Sequence, residues 1–163
     1  MPPIDDLQQR RWKRYEQVLL DKLTAFGRQV CSEATLSHAL EQFWGKKGLS
    51  APEFDDEVSF ARFFDWFLFD YRRSSRARRV IERFRGSCWE ELSQEERQLL
   101  EAWEDSCLGV YEVLSVRPGE SLVLADVFTG ERLEVRDREA AARLHKYDLV
   151  LTRPLRVFET YSL

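Results

Sequence analysis

The sequence predicts an α+β protein, with a helical N-terminal half of about five helices followed by a small antiparallel β-sheet or barrel carrying one short helix. Two observations carry this. Up to about Leu108 the apolar residues recur every three or four positions, as on one face of a helix. Beyond it, β-branched residues alternate with polar ones and turn dipeptides come often. The chain of 163 residues is 44% hydrophobic and 33% charged, which places it among globular proteins and away from disordered ones. Residues 1–107 form the expected helical region and 108–163 a β-rich region packed against it, since no Gly/Ser/Pro-rich linker separates them.

The first helix is expected from Ile4 to Phe26, with Trp12, Tyr15, Leu19, Leu23 and Phe26 as one buried stripe and Gly27 as its stop. Asp5 and Asp6 suit the positive end of its dipole. A second helix, Ser32 to Trp44, turns Leu36, Ala39, Leu40 and Phe43 inward and ends at Gly45. Gly48 and Pro52 mark Lys46–Asp56 as a loop. A third helix starts near Asp56 or Glu57 and runs to Arg72 through FARFFDWFLFDY, which holds seven aromatic rings in twelve positions. Its apolar residues cover more than one face, so it belongs at the centre of the helical region. Ser74 or Ser75 would cap a fourth helix ending before Gly86. Ser93 and Glu96 fit a capping box that opens a fifth, with Leu99, Leu100 and Trp103 inward.

From Gly109 the chain divides into three hairpin-linked strands at Pro118-Gly119 and Thr129-Gly130. Asp137 caps a short helix to Leu144, and Tyr147–Val157 is a further strand whose Pro154 argues for an edge or bulge. Periodicity does not decide between an open sheet and a small closed barrel.

The net charge is −4 with a pI near 5.4, so no global basic field draws the chain onto nucleic acid, and anion binding would have to come from a local patch. Cys31, Cys88 and Cys107 are odd in number and far apart, with no zinc spacing, and read as buried reduced thiols of a cytoplasmic protein. The opening MPPIDDLQQRRW lacks the apolar core of a signal peptide, and no apolar run reaches membrane-spanning length. G-x-S-x-G, P-loop, G-x-G-x-x-G and H-E-x-x-H motifs are all absent. No cofactor or metal is expected.

Four segments taken in order, FDWFLFDY, LSQEERQLLEAWEDSCLGVYEVLSV, LADVFTGERLEVRD and YDLVLTRPL, resemble a group of uncharacterised bacterial proteins that often carry a C-terminal SEC-C zinc motif. The resemblance spans Val58 to Leu155. It implies a fold and a bacterial cytoplasmic setting, and no activity. No cysteine follows Cys107, so the zinc of that motif is not carried over.

The candidate site follows the aromatic segment. RRSSRARRVIERFR places Arg72, Arg73, Arg76, Arg78, Arg79, Arg83 and Arg85 within fourteen residues, opposed only by Glu82. On a helix Arg72, Arg76, Arg79 and Arg83 share a face, and with Arg73 they form the anion- or nucleic-acid-binding candidate, because arginine forks grip phosphate bidentately. The bland reading is a solvated face paired with the carboxylates of Glu53–Glu57 and Glu90–Glu96. Arg10, Arg11, Lys13 and Arg14 form a second basic cluster. Asp65 and Asp70 lie in apolar surroundings, where a hydrolase could use them, but their five-residue spacing points them apart on a helix. His38 and His145 read as structural or exposed, and the aromatics as core rather than a base-stacking platform. In the β-rich region, arginines interleaved with carboxylates read as a packing module.

These residues favour a non-enzymatic binding or adaptor protein with an arginine-rich face for a nucleic acid or an acidic protein. The alternatives are a structural, homo-oligomer-forming protein with an aromatic subunit interface, and a hydrolase using Asp65 and Asp70.

Overall fold

The structure, a computed structural model, describes residues 4–45 and 57–163. Among these residues six α-helices and six strands follow one another as α1 (Ile4–Val30), α2 (Glu33–Trp44), α3 (Glu57–Phe69), α4 (Val80–Cys88), α5 (Gln94–Glu104), β1 (Gly109–Arg117), β2 (Ser121–Asp126), β3 (Arg132–Val135), α6 (Arg138–Arg143), β4 (Leu149–Thr152), β5 (Leu155–Val157) and β6 (Thr160–Ser162). This is the α+β order read from the sequence. The loop expected over Lys46–Asp56, with Glu53, Asp55 and Asp56, lies outside the described residues. The chain divides into two compact units, Met1–Glu16 with Gln94–Leu163, and Gln17–Ser93, so that the first division falls within α1.

In the unit Gln17–Ser93, Leu19 and Leu23 of α1, Ala39 and Leu40 of α2, Phe63, Phe67, Leu68 and Phe69 of α3 and Ile81 and Phe84 of α4 are buried. Rings link these elements: Phe43 meets Phe63 edge-on at 5.5 Å, Phe67 stacks on Tyr71 at 5.2 Å, and Phe26 meets Phe84 at 5.5 Å. The aromatic segment is thus core over most of its length. Phe60, at its N-terminal end, stays 44% exposed.

Gly27 does not stop α1, which continues to Val30. Glycine is used here for approach: a Cβ at this position would collide with Cδ2 of Leu68. Gly45 does act as a stop, in the left-handed region at φ 64°, and Ser32 caps α2 by accepting from Thr35 N–H at 3.2 Å.

α3 ends at Phe69, not Arg72, and α4 begins only at Val80. Neither Ser74 nor Ser75 caps it, and Gly86 lies inside it. Residues 71–79 are therefore a non-helical connection. Glu82 fixes where α4 starts, accepting from the N–H of Arg79 at 2.6 Å. Arginine has no acceptor to cap with, so the carboxylate at the third helical position closes this turn.

In the other unit the six strands form one curled sheet in the order β4-β1-β2-β3-β6-β5. β1 pairs antiparallel with β2 and β4, β2 with β3, and β5 with β6, while β3 meets β6 in parallel through Val135 and Tyr161. β4 and β5 are the edges, which resolves the choice between barrel and open sheet for the open form. The turns contain Gly119 and Gly130 at positive φ, and Asp126 closes the second by accepting from Phe128 and Thr129 N–H at 2.7 and 2.8 Å. The core is Tyr111, Val113, Leu122, Leu124, Leu133 and Val135, covered by Ala141 of α6. Asp137 caps α6 as read from the sequence.

The strand expected over Tyr147–Val157 is two strands, broken at Arg153-Pro154. Proline has no N–H for a ladder, and the buried Arg153 donates to Ser106 O at 2.8 Å. Across the same region Trp103 donates to Arg156 O at 3.0 Å. β6 has no counterpart in the sequence reading.

Candidate functional site

The seven arginines between Arg72 and Arg85 do not share one helical face, because Arg72, Arg73, Arg76, Arg78 and Arg79 precede α4. Five of them fall instead into two groups. Arg72 donates to Ala77 O at 2.6 Å and pairs with Glu82 at 3.3 Å. Arg79 pairs with the same Glu82 oxygen at 3.1 Å and donates to Phe69 O at 3.3 Å. These two guanidiniums brace the connection against the ends of α3 and α4. Burial pushes the Glu82 carboxyl upward, but the N–H and guanidinium of Arg79 and the charge of Arg72 outweigh it and hold the carboxyl below its ordinary value. Arg85 packs over the Trp89 ring at 4.7 Å.

Arg73, Arg78 and Arg83 belong to the other group. They line one cleft of about 240 Å³, with Thr35 of α2 and the apolar wall of Phe67, Tyr71, Ala77 and Val80. None of the three forms a salt bridge among the described residues. Arg76 is exposed and outside the cleft lining. Of the candidates Arg72, Arg73, Arg76, Arg79 and Arg83, the cleft thus brings together Arg73 and Arg83 and adds Arg78. Two more groups here were read from the sequence as structural, His38 and the core ring Tyr71. The Tyr71 hydroxyl lies 2.9 Å from His38 Nδ1, which fixes the ring that walls the cleft. Burial raises the Tyr71 pKa, and the charge of Arg73 opposes that rise.

Two members of the second basic cluster are tied down: Arg11 pairs with Glu95 at 2.8 Å, and Lys13 bridges Glu16 at 3.2 Å and Ser162 Oγ at 2.8 Å. Arg117, Arg136 and Arg143 pair with Glu120, Glu134 and Glu139. Asp65 is half-buried on α3, Asp70 lies just past its end, and neither lines the arginine cleft. His145 is exposed beside Asp148. Among the described residues no group of three His, Cys, Asp or Glu side chains could hold a metal ion, and no helix is long and apolar enough to cross a membrane. The cysteines are free, but they are not buried as expected: Cys107 is exposed, and Cys31 and Cys88 are half-buried with thiols pushed up by that burial.

A second cleft, of about 210 Å³, lies in the sheet-bearing unit between Trp12, Gln98, Leu99, Ala102, Arg156 and Phe158. Trp12 and Phe158 stack at 5.4 Å, and Phe158 holds a φ of 61°.

Fold and cleft together define an α+β protein with a cationic, apolar-walled recess in its helical unit. Residues 14–163 match the DUF7986 family, a family of unknown function, and the chain belongs to it. No curated protein matches the chain, and no solved structure does.

Proposed function

We propose that this is a non-enzymatic cytoplasmic binding or adaptor protein that holds an anionic partner, a nucleic acid or an acidic protein, at the cleft of Arg73, Arg78 and Arg83. One observation carries the reading. Three arginines line one recess whose lining holds no carboxylate, and none of them forms a salt bridge among the described residues, while their neighbours Arg72 and Arg79 are consumed by Glu82. Like charges gathered in this way repel one another, and an anion between them relieves that repulsion through charge-assisted forks.

The test is binding of labelled single- and double-stranded DNA and RNA at low and moderate salt, beside Arg73→Ser/Arg78→Ser/Arg83→Ser and Arg117→Ser/Arg132→Ser/Arg143→Ser variants. The reading expects salt-sensitive binding that the first variant loses and the second keeps. Equal binding by all three proteins contradicts it, and binding by none rules out the nucleic acid as the partner.

Exposed apolar residues favour a second reading, self-association. Trp44, Val58 and Phe60 are 43%, 59% and 44% exposed at the ends of α2 and α3, where an aromatic subunit interface would form. A concentration-independent monomer mass by sedimentation removes it.

A further inference from the structure

Granting that the arginine cleft binds anions, we infer that it takes a single terminal phosphate monoester end-on, rather than a run of backbone phosphates. Three features of the recess point this way.

The first is its size. About 240 Å³ is less than the roughly 300–1,000 Å³ of sites for drug-sized ligands, and it suits one head group with part of what it is attached to. The second is the disposition of charge. A strand offers one negative charge for about every 3.4 Å of its length, so a backbone reader spaces its cations along a track. Here Arg73 and Arg78 from the connection and Arg83 from α4 face a common recess, and Arg72 and Arg79, which would extend a track, are held by Glu82. Several arginines around one small recess match a group carrying about −1.5 to −2 charges and three acceptor oxygens, which a monoester has and a diester lacks. The third is the wall. Phe67, Tyr71, Ala77 and Val80 give an apolar surface beside the cations, against which the ring or stem bearing the phosphate can lie, and Thr35, whose hydroxyl lies 2.9 Å from Ser32 Oγ, lines the recess from the first turn of α2.

The shared chemistry is the phosphate monoester. It is borne by small molecules and by the 5′ ends of processed nucleic acids. Its recognition at an end makes affinity independent of strand length. It also leaves a shallow salt dependence, a slope of about −1 to −2 in log K against log salt, where a long backbone contact gives a much steeper one.

The experiment titrates the full chain with a 5′-phosphorylated single-stranded oligonucleotide, the same strand with a 5′-hydroxyl, and phenyl phosphate as competitor. An Arg83→Lys variant, which keeps the charge and loses the fork, and an Arg73→Ser/Arg83→Ser variant run alongside, with thermal melts confirming that both fold. The inference expects the 5′-phosphate to tighten binding by about tenfold or more, phenyl phosphate to displace the strand, and Arg83→Lys to lose most of that preference. Binding of phenyl phosphate with no binding of either strand supports it too, and names a small monoester as the source. Arginine-dependent binding that ignores the 5′-phosphate overturns the end-on inference and leaves the anion-binding reading standing. Failure of strands and phenyl phosphate alike to bind in an arginine-dependent way overturns both.

Discussion

Arg79 and Glu82 are joined twice, by the Arg79 N–H to one Glu82 carboxylate oxygen at 2.6 Å and by the guanidinium to the other at 3.1 Å. The double link starts α4 and holds the connection that carries Arg73 and Arg78. Glu82→Gln keeps the shape and loses the charge, and is expected to cost roughly 1–2 kcal/mol by urea denaturation at neutral pH. The folded carboxyl titrates below its ordinary value, so its contribution is complete above the unfolded pKa of about 4.3 and is lost as pH falls through the lower folded value. The stabilities of wild type and variant therefore converge in acid. A difference that stays constant down to about pH 3 contradicts this assignment.

The two groups of arginines separate stability from binding. Arg73→Ser, Arg78→Ser and Arg83→Ser each alter an exposed side chain and should leave unfolding free energy within about 0.5 kcal/mol of wild type. Arg72→Ser and Arg79→Ser remove bonds to Ala77 O, Phe69 O and Glu82, and should each cost about 1 kcal/mol or more. Chemical denaturation of the five variants checks the ranking, and it fails if the cleft arginines prove the costlier set.

Gly27→Ala puts a methyl group into Leu68. In an open helix interior this change stabilises by about 0.5–1 kcal/mol. Here the collision reverses the sign, to a loss of about 1–3 kcal/mol, and Gly27→Ala combined with Leu68→Ala should lose less than the sum of the single changes. Additive losses in that double-mutant cycle would show that the two residues are not in contact.

Trp103 is fully buried and its indole N–H is held by Arg156 O. Trp103→Phe leaves that carbonyl short of a donor and a gap beside it, with an expected loss of about 1–3 kcal/mol. A neutral thermal melt would show that the site repacks or is wetted.

Local signals made the hairpin region legible. Gly119 and Gly130 needed positive φ, Asp137 had an acceptor to offer nearby N–H groups, and β1 and β3 alternate in burial as they alternate in sequence. The limits of α4 were not legible. Arginine is a good helix former, so a run of seven reads as helix on propensity. Residues 71–79 are non-helical instead, with Arg72 and Arg79 bonded to carbonyls and to Glu82. The predicted shared face is therefore absent, and Arg78 lines the cleft where Arg72 and Arg79 do not. Gly27 misled for a related reason, since a glycine that ends a helix and one that lets another helix approach look alike in sequence. β6 escaped because three residues after a Phe158-Glu159 turn without glycine carry no strand signal, and only pairing with β5 and β3 makes them one.

The central claim is that Arg73, Arg78 and Arg83 form one anion site, and arginine side-chain NMR tests it most directly. Inorganic phosphate would be titrated at constant ionic strength while the guanidinium Nε–H resonances of all arginines are followed. The account predicts saturable shifts with a common midpoint for Arg73, Arg78 and Arg83, and unmoved resonances for Arg72 and Arg79. Shifts spread evenly over the surface arginines, or three unrelated midpoints, would contradict it.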